Sequence, residues 1–305
     1  MSLPLSGTDV RLVHHGYEAH IATVGASLRS LTHHGREMVR GFEAQQLRPV
    51  FTGAVLAPWP NRVIDAAYNW DGAQQRLAVT EPDRGHALHG LVLWADFAIE
   101  EQAADYVRLS TVISPQQGYP HRVRVEAEYA ARERGLVTRV TATLLSEEPA
   151  PFGWGSHSYL VAPGEKVDEW TLTLPASTVQ HVTDERLVPR GNAPVAGTAF
   201  DFRAGRKIGE TFIDHAFTDV ALDDAGLAHV DVTDAHGVGS RMSWGSDGPW
   251  VQIHTGDRPE AELHRTGLAV EPMSCAPGAF NSGEDVIRLE PQRPLSASWV
   301  ISALE

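Results

Sequence analysis

Polar and apolar residues alternate with a period of two along most of this chain. Arg122-Val-Arg-Val-Glu-Ala-Glu-Tyr129 keeps a clean alternation, and Leu136-Val-Thr-Arg-Val-Thr-Ala-Thr-Leu144 keeps it less strictly. Successive side chains of an extended strand point to opposite faces, so this pattern predicts strands with one face buried. Ala130-Ala-Arg-Glu-Arg-Gly135 between them supplies a polar turn ending in glycine, and the pair reads as a hairpin. Further strands are predicted over residues 17–24, 107–113, 170–174, 228–233, 250–255 and 295–304. No stretch holds a helical stripe over three turns. The 27 glycines and 19 prolines are spread between the strands, where turns need them. The expected fold is all-β and antiparallel, a sandwich or distorted barrel. No linker, charge block or repeat divides the chain, so a single domain over 1–305 is expected. Residues 188–209 are the best candidate for a long excursion, and loops on a rigid β scaffold are where sites tend to lie.

Composition narrows the partners. The chain has 305 residues, 42% of them hydrophobic, enough for a sizeable core. Its formal net charge of −14 would repel phosphate backbones and anionic lipid, which argues against nucleic-acid or membrane-surface binding and suits a neutral small ligand. With one cysteine, Cys275, no intramolecular disulfide can form, and a small buried hydrophobe is the simplest reading of it. The start, Met1-Ser-Leu-Pro-Leu-Ser-Gly, lacks a basic region followed by a long apolar core, and no window approaches a bilayer's length. A soluble, cytoplasmic protein is expected.

Five segments carry candidate chemistry. Pro151-Phe-Gly-Trp-Gly-Ser-His-Ser-Tyr-Leu160 sets two glycines around Trp154 and places His157, with a side-chain pKa near neutrality, beside Tyr159. It reads equally as a glycine-kinked strand with a hydrogen-bonded core histidine. Ala57-Pro-Trp-Pro-Asn-Arg-Val63 follows two prolines with Asn61 and Arg62, an amide and a fork of donors suited to hydroxyl oxygens, or else an edge turn with a surface arginine. His86-Ala-Leu-His89-Gly offers His89 as a site histidine. A metal pair is disfavoured, since an offset of three puts the rings on opposite strand faces and no third ligand is evident nearby. In Phe212-Ile-Asp-His-Ala-Phe-Thr218, Asp214 sits among apolar neighbours, where a carboxylate needs a partner, a ligand or an Asx-type turn. Glu271 ends an apolar run directly before Pro272, which holds it extended. Partial desolvation would raise its pKa toward the range of a base, and a strand-end salt bridge is the plainer alternative.

Taken in order, Asn61-Arg62, His89-Gly90, His157 with Tyr159, Asp214-His215 and Glu271 resemble the aldose 1-epimerase (galactose mutarotase) family. The resemblance runs over most of the chain. It implies a large antiparallel β-sandwich, the galactose mutarotase-like supersandwich, with a sugar in an open cleft on one face. It further implies Glu271 as catalytic base, His157 as catalytic acid, and Arg62, His89 and Asp214 as sugar-binding positions. Asn61 and one of Trp154, Trp59 and Trp94 are expected to add to the sugar contacts. Anomer exchange needs one acid and one base and calls for neither metal nor redox cofactor; a carboxylate and an imidazolium in one pocket would keep each other charged. Two departures stand out: Gly90 is followed by Leu91 where better-known members carry a second glycine, and His157 is followed by Ser-Tyr-Leu where those members carry a longer aromatic-Asn-Leu pattern. Both leave the identity of the sugar open. A non-catalytic carbohydrate-binding protein and a sugar-phosphate epimerase, with Arg62 and Arg84 as phosphate partners, are the competing readings.

Overall fold

The alternation over residues 122–144 becomes the centre of a nine-stranded antiparallel sheet. In this computed structural model, which describes residues 3–164 and 166–305, strands Val123–Arg132 and Gly135–Leu144 pair from Val123 opposite Leu144 to Arg132 opposite Gly135. The turn between them is shorter than the polar stretch suggested, because both strands run on to Arg132 and Gly135. Leu295–Leu304 flanks this hairpin on one side and Tyr106–Ile113 on the other. Gly239–Gly245, Leu227–Thr233, Thr171–Thr173 and Arg206–Lys207 continue the sheet to one edge, and Ala98–Gln102 closes the opposite edge.

A second, eight-stranded antiparallel sheet packs against the first. Its order is Pro189–Pro194, Ala176–Val182, Asp214–Val220, Trp250–His254, Leu268–Met273, Gly155–Ser156 and Val55–Leu56, with Ser158–Leu160 also paired to Leu268–Met273. Val179, Phe217, Val251 and Val270 point inward from it and meet Val125, Ala127, Val230 and Ile301 of the nine-stranded sheet in one core. The result is an all-β, antiparallel sandwich, as the alternation predicted. Every residue of Trp250–His254 and Leu268–Met273 is buried, so these strands are covered on both faces. A four-stranded N-terminal sheet, Asp9–His14 through Arg36–Glu37, adds Leu12, Tyr17 and Ile21 to the same core.

Residues 188–209 are not simply a long loop. They contain Pro189–Pro194, an edge strand of the eight-stranded sheet, and Arg206–Lys207 at the edge of the other sheet. Edge positions tolerate proline because its missing N–H faces away from the ladder. Among the described residues the one α-helix is Ala279–Ser282, and no helix is long and apolar enough to cross a membrane. Cys275 is buried and unpaired, its sulfur close to the Gly153 backbone.

Candidate active site

Strand parity assembles the site. Glu271 lies directly opposite Gln252, and Asp214 directly opposite His254. Gln252 and His254 are two residues apart, so all four side chains share one face of the eight-stranded sheet. Gly155 pairs with Met273 and Tyr159 with Ala269, which puts His157, midway between them, on that same face. The His157 backbone is pinned at both ends: its N–H donates to Ala54 O (3.0 Å), and its carbonyl accepts from Gly53 N–H (2.8 Å).

The same parity sends Trp154 the other way. It is 1% exposed and stacks on Trp299 at 5.8 Å with the rings 10° from parallel, deep between the two sheets. The expectation that Trp154 lies against the sugar is therefore corrected: three residues from His157 on extended chain, it faces the core. Trp59 packs against Phe280, and Trp94, half exposed, lies under the Arg48 guanidinium; neither lines the cleft.

Loops bring in the remaining groups. Asn61 and His89 both have left-handed backbones, with φ of 52° and 60°, and the Asn61 carbonyl accepts the His89 N–H at 2.8 Å. Gly90 follows at φ 80°, where a Cβ would lie 2.1 Å from the Ala57 carbonyl oxygen, so only glycine lets the chain leave His89 in this direction. The His89 ring meets His157 edge-on at 5.0 Å, and Phe51 packs against both. Arg62 forks onto Glu81, Nε to Oε2 at 2.8 Å and a terminal nitrogen to Oε1 at 2.9 Å, and donates to Asn61 Oδ1 at 3.2 Å. The His86 ring, by contrast, is spent on backbone: Nδ1 accepts from Asp65 N–H and Nε2 donates to the Arg186 carbonyl.

Asn61, Arg62, His89, His157, Asp214 and Glu271 thus converge on one cleft of about 380 Å³, a volume in the small-molecule range. Sequence reasoning missed Phe51, Glu81, Gln252, His254 and Arg258, which also line it. Gln252 and His254 did leave a signal, two polar residues at alternate positions in an otherwise apolar strand. Glu81 and Arg258 left none, because they reach the cleft from irregular segments.

His157 Nε2 and Glu271 Oε1 stand 3.5 Å apart, with side chains 5% and 3% exposed. Among the described residues, His157 Nδ1, Glu271 Oε2, His89 Nδ1 and Gln252 Oε1 are buried without a hydrogen-bond partner. Such a cluster of unsatisfied polar atoms calls for an explanation, and a ligand supplies one. Burial, reinforced by the Asp214 carboxylate, drives the Glu271 pKa well above the usual carboxylate range, while Arg62 opposes the shift. Burial also drives His157 well below the usual imidazole range, with His89 and His254 adding to the effect. The expectation that the two keep each other charged is reversed here. Loss of solvation outweighs their mutual attraction, and each is pushed toward its neutral form. Asp214 is held by Gln252, whose Nε2 donates to Oδ1 at 2.7 Å.

The aldose 1-epimerase family model matches residues 8–302. Over 290 residues, 95% of this chain and 91% of the relative, the chain is 36% identical to the uncharacterised Escherichia coli protein YihR. It is 28% identical to human galactose mutarotase over 246 residues, covering 74% of this chain and 68% of that one. Escherichia coli aldose 1-epimerase is 26% identical over 277 residues, 86% and 72% of the respective chains. In fold, a Caenorhabditis elegans homologue of GalM/aldose epimerase superposes with a TM-score of 0.85 across 98% of this chain and 99% of that one, at 19% identity. With strand order, cleft and matched length in agreement, the chain belongs to the aldose 1-epimerase family.

Proposed function

We propose that this protein interconverts the α and β anomers of a free hexose by acid/base ring opening and closure. The observation that carries the reading is the convergence of two buried proton-exchanging groups, Glu271 and His157, 3.5 Å apart on one open cleft. In the forward step Glu271 takes the proton from the O1 hydroxyl and His157 gives a proton to the ring oxygen. The C1–O5 bond breaks as the C1–O1 bond becomes a carbonyl. Rotation about C1–C2 presents the other face of the aldehyde. Closure then returns the ring-oxygen proton to His157 and the Glu271 proton to O1, leaving the enzyme unchanged.

The couple carries one exchangeable proton between its two members. Burial favours the neutral pair, and the Arg62 cation pulls Glu271 back toward the carboxylate needed to start the reaction. Groups so poised can each act in either direction, which a reaction symmetric between two anomers requires. Arg62 and Asn61 orient hydroxyls; His89 and Asp214 hold others, and Phe51 walls the imidazoles from water. For a phosphorylated sugar, Arg62 and Arg84 both spend donors on Glu81, which leaves Arg258 as the cleft arginine without a carboxylate partner among the described residues.

The test is polarimetric. Freshly dissolved α-D-glucose or α-D-galactose should lose optical rotation faster with the protein than in buffer, in proportion to protein concentration. Saturable sugar binding with no acceleration on a panel of free aldoses would instead make this a binding protein and end the proposal.

A further inference from the structure

Arg48 carries a buried charge that no carboxylate answers among the described residues. It is 5% exposed, and its terminal nitrogens donate to the Leu93 carbonyl and the Ser27 hydroxyl, one of them reaching on to the Val24 carbonyl at 3.4 Å. Its Nε is buried without a partner, and the Trp94 ring lies under the guanidinium at 4.5 Å. Burial lowers its pKa to about 10, so it keeps its proton at neutral pH. A buried cation without a counter-ion is unfavourable, and an apolar side chain of similar volume would be more stable in its place. Its position in the fold gives the charge a use. Leu56 pairs with Gly155, and the His157 N–H donates to Ala54, so Ala54 and Leu56 continue the sheet face of His157 one strand outward. Leu93, whose carbonyl receives Arg48, packs on those two residues together with Phe51. Phe51 follows Arg48 by three residues and meets the rings of His89 and His157 at 4.9 and 5.7 Å. The turn between Arg48 and Phe51 holds Val50 and Phe51 in the left-handed region, at φ of 42° and 61°, a conformation that persists only where the surroundings fix it.

We propose that Arg48 is a positioning residue for the acid/base couple, a fixed cation that the Phe51 turn anchors behind the His89 and His157 imidazoles. The inference rests on the anomer-exchange reading of the cleft. A cation held there disfavours a second one, so Arg48 adds to what burial does at both rings. An imidazolium formed against that opposition gives its proton more readily to a weakly basic ring oxygen. Arg62 does the complementary work at Glu271, where it favours the carboxylate. The other groups that face the rings are Glu271, Tyr159 and His254, with Arg62 beside His89 and Asp214 beside Glu271. All of these stay in place when Arg48 is replaced, so a change in its charge can be read at the imidazoles.

The experiment sets Arg48→Lys, which keeps the charge and a donor, against Arg48→Gln, which keeps a donor and loses the charge. Arg48→Met replaces the glutamine variant if that one does not unfold cooperatively. Each protein gives two readouts: the pH profile of kcat/KM for anomer exchange of glucose, and the pH titration of the His157 and His89 ring-nitrogen NMR shifts with no sugar present. Removing a positive charge raises the pKa of its titrating neighbours. Both limbs of the profile and both titrations should therefore move up in Arg48→Gln, by about half a pH unit, less than the one to three units of a charge in direct contact. Arg48→Lys should keep the wild-type midpoints even where it loses stability. Midpoints unmoved in Arg48→Gln would overturn the proposal, as would equal displacement in the lysine and glutamine variants, since loss of the fork and not of the charge would then be the cause. Should no sugar exchange at all, the anomer-exchange reading fails by itself. The imidazole titrations, which need no sugar, then decide whether Arg48 acts on the two rings.

Discussion

Replacing Glu81 by glutamine tests how the cleft aims its arginine. Glu81 accepts both arms of the Arg62 fork and one donor of Arg84, and the Arg62 and Glu81 side chains are each 11% exposed. Glutamine keeps the volume and one acceptor oxygen but loses the charge and the second acceptor, leaving the buried guanidinium only the charge interactions with Asp214 and Glu271. Removing one partner of a buried pair typically costs 3–5 kcal/mol, and the retained acceptor places this case at the low end, about 3 kcal/mol. For a chain of 305 residues that corresponds to a fall in Tm of about 5 °C. The sign with pH follows from Glu81 itself: burial works to raise its pKa, but Arg62 and Arg84 together hold it below the ordinary 4.5. The stabilisation is present above that value and fades as pH falls through the lowered one. The gap between wild type and Glu81→Gln should therefore narrow below pH 4.5. A loosened Arg62 should raise KM for the sugar about tenfold with a smaller change in kcat, the equivalent of one well-aimed charged hydrogen bond. Thermal unfolding from pH 3 to 8 and anomer-exchange kinetics read both effects. An unchanged Tm at pH 7 together with an unchanged KM would mean that Glu81 neither stabilises the fold nor aims Arg62.

Glu271→Gln should raise stability, and the gain should grow as pH rises above 4.5: burial lifts the folded-state pKa of Glu271, so ionising it as pH climbs costs the wild type and not the variant. A Tm difference that is flat or falls with pH would contradict this. Trp154→Ala should cost about 3–5 kcal/mol in chemical denaturation, as expected for a core tryptophan, while KM of the folded protein stays at the wild-type value; a raised KM with little loss of stability would restore Trp154 as a sugar contact. Gly90→Ala combines a left-handed backbone with a contact to the Ala57 carbonyl, and should cost about 2–3 kcal/mol and weaken sugar binding by displacing His89, both visible by calorimetry.

The sequence exposed the fold wherever a strand has one wet face. Val123–Arg132 and Leu295–Leu304 alternate, and the structure agrees with both predicted spans to within a few residues. The two-residue strand Val55–Leu56 escaped notice because no periodicity accumulates over so short a run. In the cleft, the readable residues were those whose backbone is marked, such as Glu271 before a proline and His89 before a glycine. Trp154 misled because it lies close to His157 in sequence, whereas an odd offset of three on extended chain turns its ring to the opposite face. The Arg62–Glu81 pair spans 19 residues of irregular chain, and charge pairing at that separation follows no spacing rule. The protonation of the His157–Glu271 couple was also hidden, since its direction depends on complete burial, which only the assembled sandwich provides.

In the proposed reaction Glu271 and His157 act as one proton-exchanging couple on a bound sugar. Saturation-exchange NMR on equilibrated glucose or galactose, with wild type, Glu271→Gln and His157→Asn at equal concentration, measures this directly. Anomer exchange should run well above the buffer rate for wild type and at the buffer rate for each variant, with thermal unfolding of both variants still cooperative. Near-wild-type exchange in either variant would contradict that couple.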